Sequence, residues 1–211
     1  MDISSIRKDY QLKSLSEQDV AKDPFDQFSQ WWTEAIQSDI DEVNAMTLAT
    51  VNQHNRPSAR IVLLKDFNAS GFVFYTNYDS NKGKQLESNP YASLVFFWKE
   101  LERQVRIEGK CERVASTESD AYFKSRPIGS QIGAAASPQS SIISDRSILT
   151  ENVEALKQQF PNGDIPRPAH WGGYRLIPET IEFWQGRSNR LHDRIKYIKE
   201  GATWKIVRLA P

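Results

Sequence analysis

The chain has 211 residues, with 27 Lys+Arg set against 27 Asp+Glu and a single cysteine. A net charge of zero supplies no overall field toward nucleic acid or an anionic membrane, so anion binding has to come from a local cluster. Cys111 alone permits no intrachain disulfide, no run of about 18 apolar residues offers a membrane span, and the polar opening "MDISSIRKDYQLKSL" lacks an apolar signal core; together these predict a cytoplasmic protein with a sizeable core.

Residues 1–22 are polar with few apolar anchors and read as a mobile arm, leaving 23–211 as one domain. "DPFDQFSQWWTEAIQSD" follows, with Asp23 placed to cap, Pro24 suited to the first helical position, and Phe25, Phe28, Trp32 and Ile36 at helical spacing. Strand-like runs come next: "MTLATV", "ARIVLLKDF", "GFVFYTN" and "ASLVFFW", with turns at "NQHNRP" and "NASG". "SNKGKQLESN" predicts a short helix capped by Ser80, and "RQVRIEGKCERVA" a long strand. "STESDAYFKSR" predicts a helix opened by Thr117 and Asp120 at capping-box spacing. "GSQIGAAASPQSS" is small and polar, and "DRSILTENVEALKQQF" predicts a longer helix ending at Pro161. Two further strands are expected after "HWGGYR", and "YIKEGATWKIVRL" reads as a closing hairpin around Glu200 and Gly201. So many strands joined by tight turns predict an antiparallel sheet closing toward a barrel, with α-helices around it, an α+β fold.

Several segments admit a chemical reading beside a plain one. Arg60 and Lys65 bracket four apolar residues and, from that segment alone, read best as strand ends. Ser80 and Lys82 open a helix, which is either an ordinary capped terminus or a seat for phosphate. Tyr122, Arg126 and Ser130 stand four apart; a phenol, a guanidinium and a hydroxyl can wrap a phosphate dianion, or the arginine can simply sit at a helix end. Residues 129–141 are either a flexible loop or a place where backbone approaches a ligand, with Gln139 and Ser140 as donors. "QGRSNRLHDRIK" gathers Arg187, Arg190, His192, Asp193, Arg194 and Lys196 after Trp184, as a solvated basic turn or as a site for an anion that needs a proton carrier. The three histidines and one cysteine are too scattered to predict a metal site.

Taken in order, "RIVLLK", "VFYTN", "ERQVRIEGKCER", "YFKSRPIGSQIGAAASPQSS", "WGGYR", "IEFWQG", "RLHDR" and the terminal "RLAP" closely resemble the pyridoxamine 5′-phosphate oxidase family, from about residue 7 to the end. The resemblance implies an FMN-binding split β-barrel, homodimeric with its active sites shared between subunits. It implies oxidation of pyridoxamine 5′-phosphate or pyridoxine 5′-phosphate to pyridoxal 5′-phosphate, with O2 reduced to H2O2. By the same resemblance, Arg60, Ile61, Val62, Leu63, Leu64, Lys65, Tyr75, Thr76, Lys82, Gln104, Gln139, Ser140, Trp184 and Arg194 bind FMN. Lys65, Tyr122, Arg126 and Ser130 hold the substrate, Arg190 and His192 stand over its ring as the catalytic pair, and Arg7 and Tyr10 close the site. One departure is Asn81, where the family often has an arginine; Lys84 stands near enough in sequence to substitute in part. Rival readings are a phenazine-biosynthesis flavin oxidase, which needs no B6-phosphate pocket, and a non-catalytic flavin- or pyridoxal-phosphate-binding protein.

Overall fold

Alternation of side chains along the strands builds the core. In β1 (Ala45–Val51), Met46, Leu48 and Thr50 turn inward; in β5 (Tyr91–Trp98), Ala92, Leu94, Phe96 and Trp98 do so. The computed structural model describes residues 2–6 and 8–211, and in it these strands join β2 (Pro57–Leu63), β3 (Asp66–Asn68), β4 (Gly71–Asn77), β6 (Arg103–Arg113), β7 (Trp171–Gln185), β8 (Asp193–Glu200) and β9 (Thr203–Arg208). All pairings are antiparallel, in the order β2-β1-β5-β6-β7-β4-β3, with β8 on β7 and β9 on β8. Among the described residues the result is the curled sheet of a split barrel with five α-helices, as the α+β reading expected.

The segment after "HWGGYR" departs from expectation, since one 15-residue strand replaces the two anticipated there. β6 runs along one edge of β7. The other edge pairs with β4 over Trp171–Leu176 and with β8 over Thr180–Gln185. Between these stretches the β6–β7 register shifts at Glu108/Gly109, opposite Pro178 and Thr180. Proline lacks the N–H that a regular ladder would use, so the bulge and the change of partner fall together. β7 therefore joins two different parts of the sheet.

Helix α1 (Pro24–Gln37) begins where Asp23 accepts from the Phe25 N–H at 2.8 Å. Its buried face is Phe25, Phe28, Trp31 and Ala35, centred on Phe28; Trp32 lies at the edge of that arc and Ile36 beyond it, exposed. Phe28 packs edge-on against Phe67 and Phe72, and burying such a ring contributes about 1.5–3 kcal/mol. Among the described arm residues Leu15 is buried in this same core.

Helix α2 (Asn81–Ser88) is capped as expected, Ser80 Oγ accepting from Gly83 N. α3 (Ser116–Ser125) starts earlier than the expected capping box, with no side-chain cap; Asp120 binds Arg167 instead, 2.6 Å from its Nε. α4 (Ile128–Ala136) forms within the segment that read as a loop, its Ile132 and Ala136 buried. α5 is Ser147–Gln159. Among the described residues no helix is long and apolar enough to cross a membrane.

Candidate active site

A cavity of about 770 Å³ opens between β2, β4, the start of α2 and the α3–α4 corner. Arg60, Ile61, Val62, Leu63, Lys65, Tyr75, Thr76, Lys82, Tyr122, Arg126, Ser130 and Gln139 line it. Arg60 is not a strand end but sits within β2, its guanidinium turned across β1: Nη1 donates to Leu48 O and Thr50 Oγ1, Nη2 to Ser58 Oγ and Gln85 Oε1. Lys82, near the N-terminus of α2, donates to Gln139 Oε1 at 3.0 Å. Burial lowers the pKa of Arg60, and burial followed by the nearby Arg60 charge lowers that of Lys82. Among the described residues no carboxylate lies within 4.0 Å of Arg60, Lys65, Lys82 or Arg126. The cavity is thus cationic without internal neutralisation.

Arg126 shows the need most directly. The helix does not continue through it: Pro127 follows, and Arg126 takes the extended φ −76, ψ 150 that a pre-proline residue prefers. Its guanidinium then lies over Trp171, 4.8 Å from the ring centroid, where Tyr75, Tyr122 and Trp171 form a stack; Tyr75 and Tyr122 are 3.9 Å apart. Gly173 allows Tyr75 this position, since a Cβ there would come within 2.8 Å of its ring. Burial, then Glu118, pushes the Tyr75 phenol up to about 12, so it stays a donor. Arg126 Nη1 is buried without a partner, and burial depresses the pKa of the group. A buried, unpaired guanidinium nitrogen is costly unless an anion meets it.

The basic turn after Trp184 lies apart from this cavity. Arg190 and His192 line a second cavity of about 590 Å³, with Tyr10, Lys8, Asp9 and Arg187. Neither lines the first. Arg187 N donates to His192 Nδ1 at 3.1 Å, which leaves Nε2 as the N–H of the neutral ring. Burial, then the Arg190 charge, lowers the His192 pKa. Asn189 and Arg190 both have left-handed backbones, φ 57 and φ 62. Register sets Gln104 opposite Trp184 and Trp184 opposite Arg194, so these three form a row across β6, β7 and β8 away from the first cavity. Arg194 is held by Glu182 through Nε at 2.8 Å and Nη2 at 3.2 Å, which raises its pKa.

Two more of the expected contacts, Leu64 and Ser140, also lie outside the lining of the first cavity. Leu64, past the end of β2, turns into the main core, its N–H bonded to Asn44 O. Ser140, with φ 70, is exposed beside Gln139 rather than facing the cavity. Arg7 lies outside the described residues. Trp171 and Asn77 line the cavity without having been singled out, although the motifs "WGGYR" and "VFYTN" contain them. Glu182 was missed; a glutamate inside the apolar run "IEFW" was its only signal.

The pyridoxamine 5′-phosphate oxidase family matches residues 32–160, and a pyridoxine 5′-phosphate oxidase C-terminal dimerisation region matches 171–211. This chain belongs to that family. A relative from Cyanothece sp., named pyridoxine/pyridoxamine 5′-phosphate oxidase, is 54% identical over 209 residues, covering 99% of this chain and 98% of the relative. The crystal structure of PhzG from Burkholderia lata 383, in complex with tetrahydrophenazine-1-carboxylic acid, superposes with a TM-score of 0.89 at 30% identity, covering 95% of this chain and 99% of PhzG. A pyridoxamine 5′-phosphate oxidase-related, FMN-binding protein from Nostoc punctiforme shares the fold, with a TM-score of 0.71 at 16% identity, covering 91% of this chain and 100% of that one. As a member of the family the chain is an oxidase of the flavin-binding split-barrel type. The dimerisation region spans β7 to β9, and so includes Trp184, Arg190, His192 and Arg194.

Proposed function

We propose that the chain oxidises pyridoxamine 5′-phosphate and pyridoxine 5′-phosphate to pyridoxal 5′-phosphate with FMN, reducing O2 to H2O2, in a homodimer whose two active sites are each built from both subunits. The observation that carries this reading is the carboxylate-free cation set of the first cavity, with Arg126 Nη1 buried and unpartnered. Two phosphate monoesters, each bringing about −1.5 to −2 charge, are what such a set would neutralise. Arg60, Lys82 and the α2 N-terminus suit the FMN phosphate, Tyr75 and Thr76 the adjoining wall, while Tyr122, Arg126 and Ser130 suit the substrate phosphate and Lys65 reaches it from β2. FMN, held by Arg60, Lys82 and the α2 N-terminus, would supply the two-electron chemistry, as hydride acceptor from the substrate and electron donor to O2.

The chain's own residues supply position, charge and a proton path. Arg126 anchors the phosphate remote from the reacting carbon. Arg190, displayed on its left-handed turn, guides that carbon, and neutral His192 orients the substrate or moves a proton through Nε2. Within one chain these two groups line separate cavities. Pairing around a two-fold axis would let one subunit's Arg190 and His192, with Gln104, Trp184 and Arg194, complete the partner's first cavity.

The test is direct. Protein purified with FMN is expected to be yellow and to consume O2 with either phosphorylated substrate, but not with unphosphorylated pyridoxine. A colourless protein that added FMN does not restore, or equal activity on pyridoxine, would overturn the proposal.

A further inference from the structure

The arm is tied down by a carboxylate outside both cavity linings. Glu102 ends a tight turn after β5 with a left-handed backbone, φ 54, and is 3% exposed. Its Oε2 accepts from two consecutive arm amides, Gln11 N at 2.9 Å and Leu12 N at 3.1 Å, and its Oε1 lies 3.4 Å from Lys8 Nζ. Its backbone oxygen accepts from Gly186 N. Gly186 in turn makes room for the arm, because a Cβ there would come within 2.7 Å of the Tyr10 ring. Tyr10 consequently lies edge-on to Trp184 at 5.8 Å and 6.0 Å from His192. Two further contacts join the arm to the turn that displays Arg190: Asn189 N donates to Asp9 Oδ1, and Ser188 Oγ donates to Tyr10 O.

We infer that Glu102 is a positioning residue for the oxidase reaction: its carboxylate sets the register of the arm, and so places Tyr10 against His192 and braces the turn carrying Arg190. This rests on the function proposed above, since it gives those residues their role. The charge is essential to the geometry. A carboxylate accepts at every lone pair, so one buried group satisfies two amides and faces the Lys8 ammonium. A glutamine of the same shape would set an N–H₂ group against either an amide N–H or the ammonium.

Glu102→Gln keeps the backbone preference of the turn and removes the charge. Two readings are taken on the FMN-loaded protein: the rate of tryptic cleavage after Lys13, followed by mass, and the steady-state constants for pyridoxine 5′-phosphate. Losing a charge-assisted anchor is expected to speed cleavage and to raise KM by roughly tenfold each, with a smaller change in kcat and an unchanged Kd for FMN. Gly186→Ala, which displaces Tyr10 without altering any charge, is expected to give the same pattern and carries the test if Glu102→Gln does not fold. Wild-type cleavage rates in either folded variant would overturn the clamp. Faster cleavage with unchanged KM would overturn its role in positioning. A wild-type protein inactive on pyridoxine 5′-phosphate would instead sink the oxidase reading, and cleavage would still decide whether Glu102 holds the arm.

Discussion

Replacing Arg126 by alanine separates the roles of stability and binding at the first cavity. The guanidinium gains a cation–π contact with Trp171, worth about 0.5–1 kcal/mol, but carries a buried unpartnered Nη1, whose desolvation costs about 1–3 kcal/mol. The balance predicts that Arg126→Ala leaves the melting temperature of the substrate-free protein unchanged or slightly higher. With substrate the account reverses. A charge-assisted contact to the phosphate contributes about 1.5–3 kcal/mol, so KM is expected to rise by roughly 10- to 150-fold. The phosphate is remote from the reacting carbon, and kcat should change little. Differential scanning fluorimetry, FMN titration and O2 uptake with pyridoxine 5′-phosphate measure the three quantities on one preparation. A fall in kcat at constant KM, or weakening of FMN equal to that of substrate, would show that Arg126 has been given the wrong phosphate.

Other outcomes follow from the same geometry. Asn81→Arg, adding a cation beside Lys82, is expected to tighten FMN by up to roughly tenfold in a fluorescence titration, and an unchanged Kd would mean that Lys84 already fills the role. Arg126→Ala and Arg190→Ala, unfolded together in equal amounts, refolded and assayed with substrate well below the raised KM of Arg126→Ala, are expected to recover activity in about a quarter of all sites, because random pairing makes about half heterodimers, each with one undamaged shared site. No recovery despite demonstrated heterodimers would refute the shared site. His192 has a folded pKa below its ordinary 6.5, so the unfolded chain takes up the proton first and this group's contribution favours folding above 6.5 and opposes it as pH falls through and below that value. Histidine NMR, assigned with His192→Asn, should show it titrating below 6.5, and Arg190→Ala should raise the value only in part because burial is the larger cause. Burial also pushes the Cys111 thiol up to about 12, so the native protein is expected to resist thiol reagents that react at once in denaturant.

Local signals in the sequence determined the elements whose physics is local. The Asp23-Pro24 start of α1, the Ser80 cap of α2 and the "NASG" turn each depend on neighbours a few residues away, and each stands where it was read, whereas the run "ARIVLLKDF" divides into β2 and β3. The order of motifs likewise determined the family, because the side chains it requires are spelled out along the chain. Where an outcome depended on distant partners, sequence pattern fell short. α4 formed from a small-residue run because Ile132 and Ala136 found a core to enter, and the capping box failed because Arg167, 47 residues away, claimed Asp120. The unbroken β7 depends on exchanging β4 for β8 at a bulge, which no local period announces. The same strand explains why residues that the motifs grouped as one site line two cavities: a long β7 carries the Arg190 turn away from Arg126, and only the tertiary arrangement sets that separation. Glu102 and Glu182 were illegible for a related reason. A buried carboxylate is defined by the amides and guanidinium groups that fold against it, and those lie on other elements.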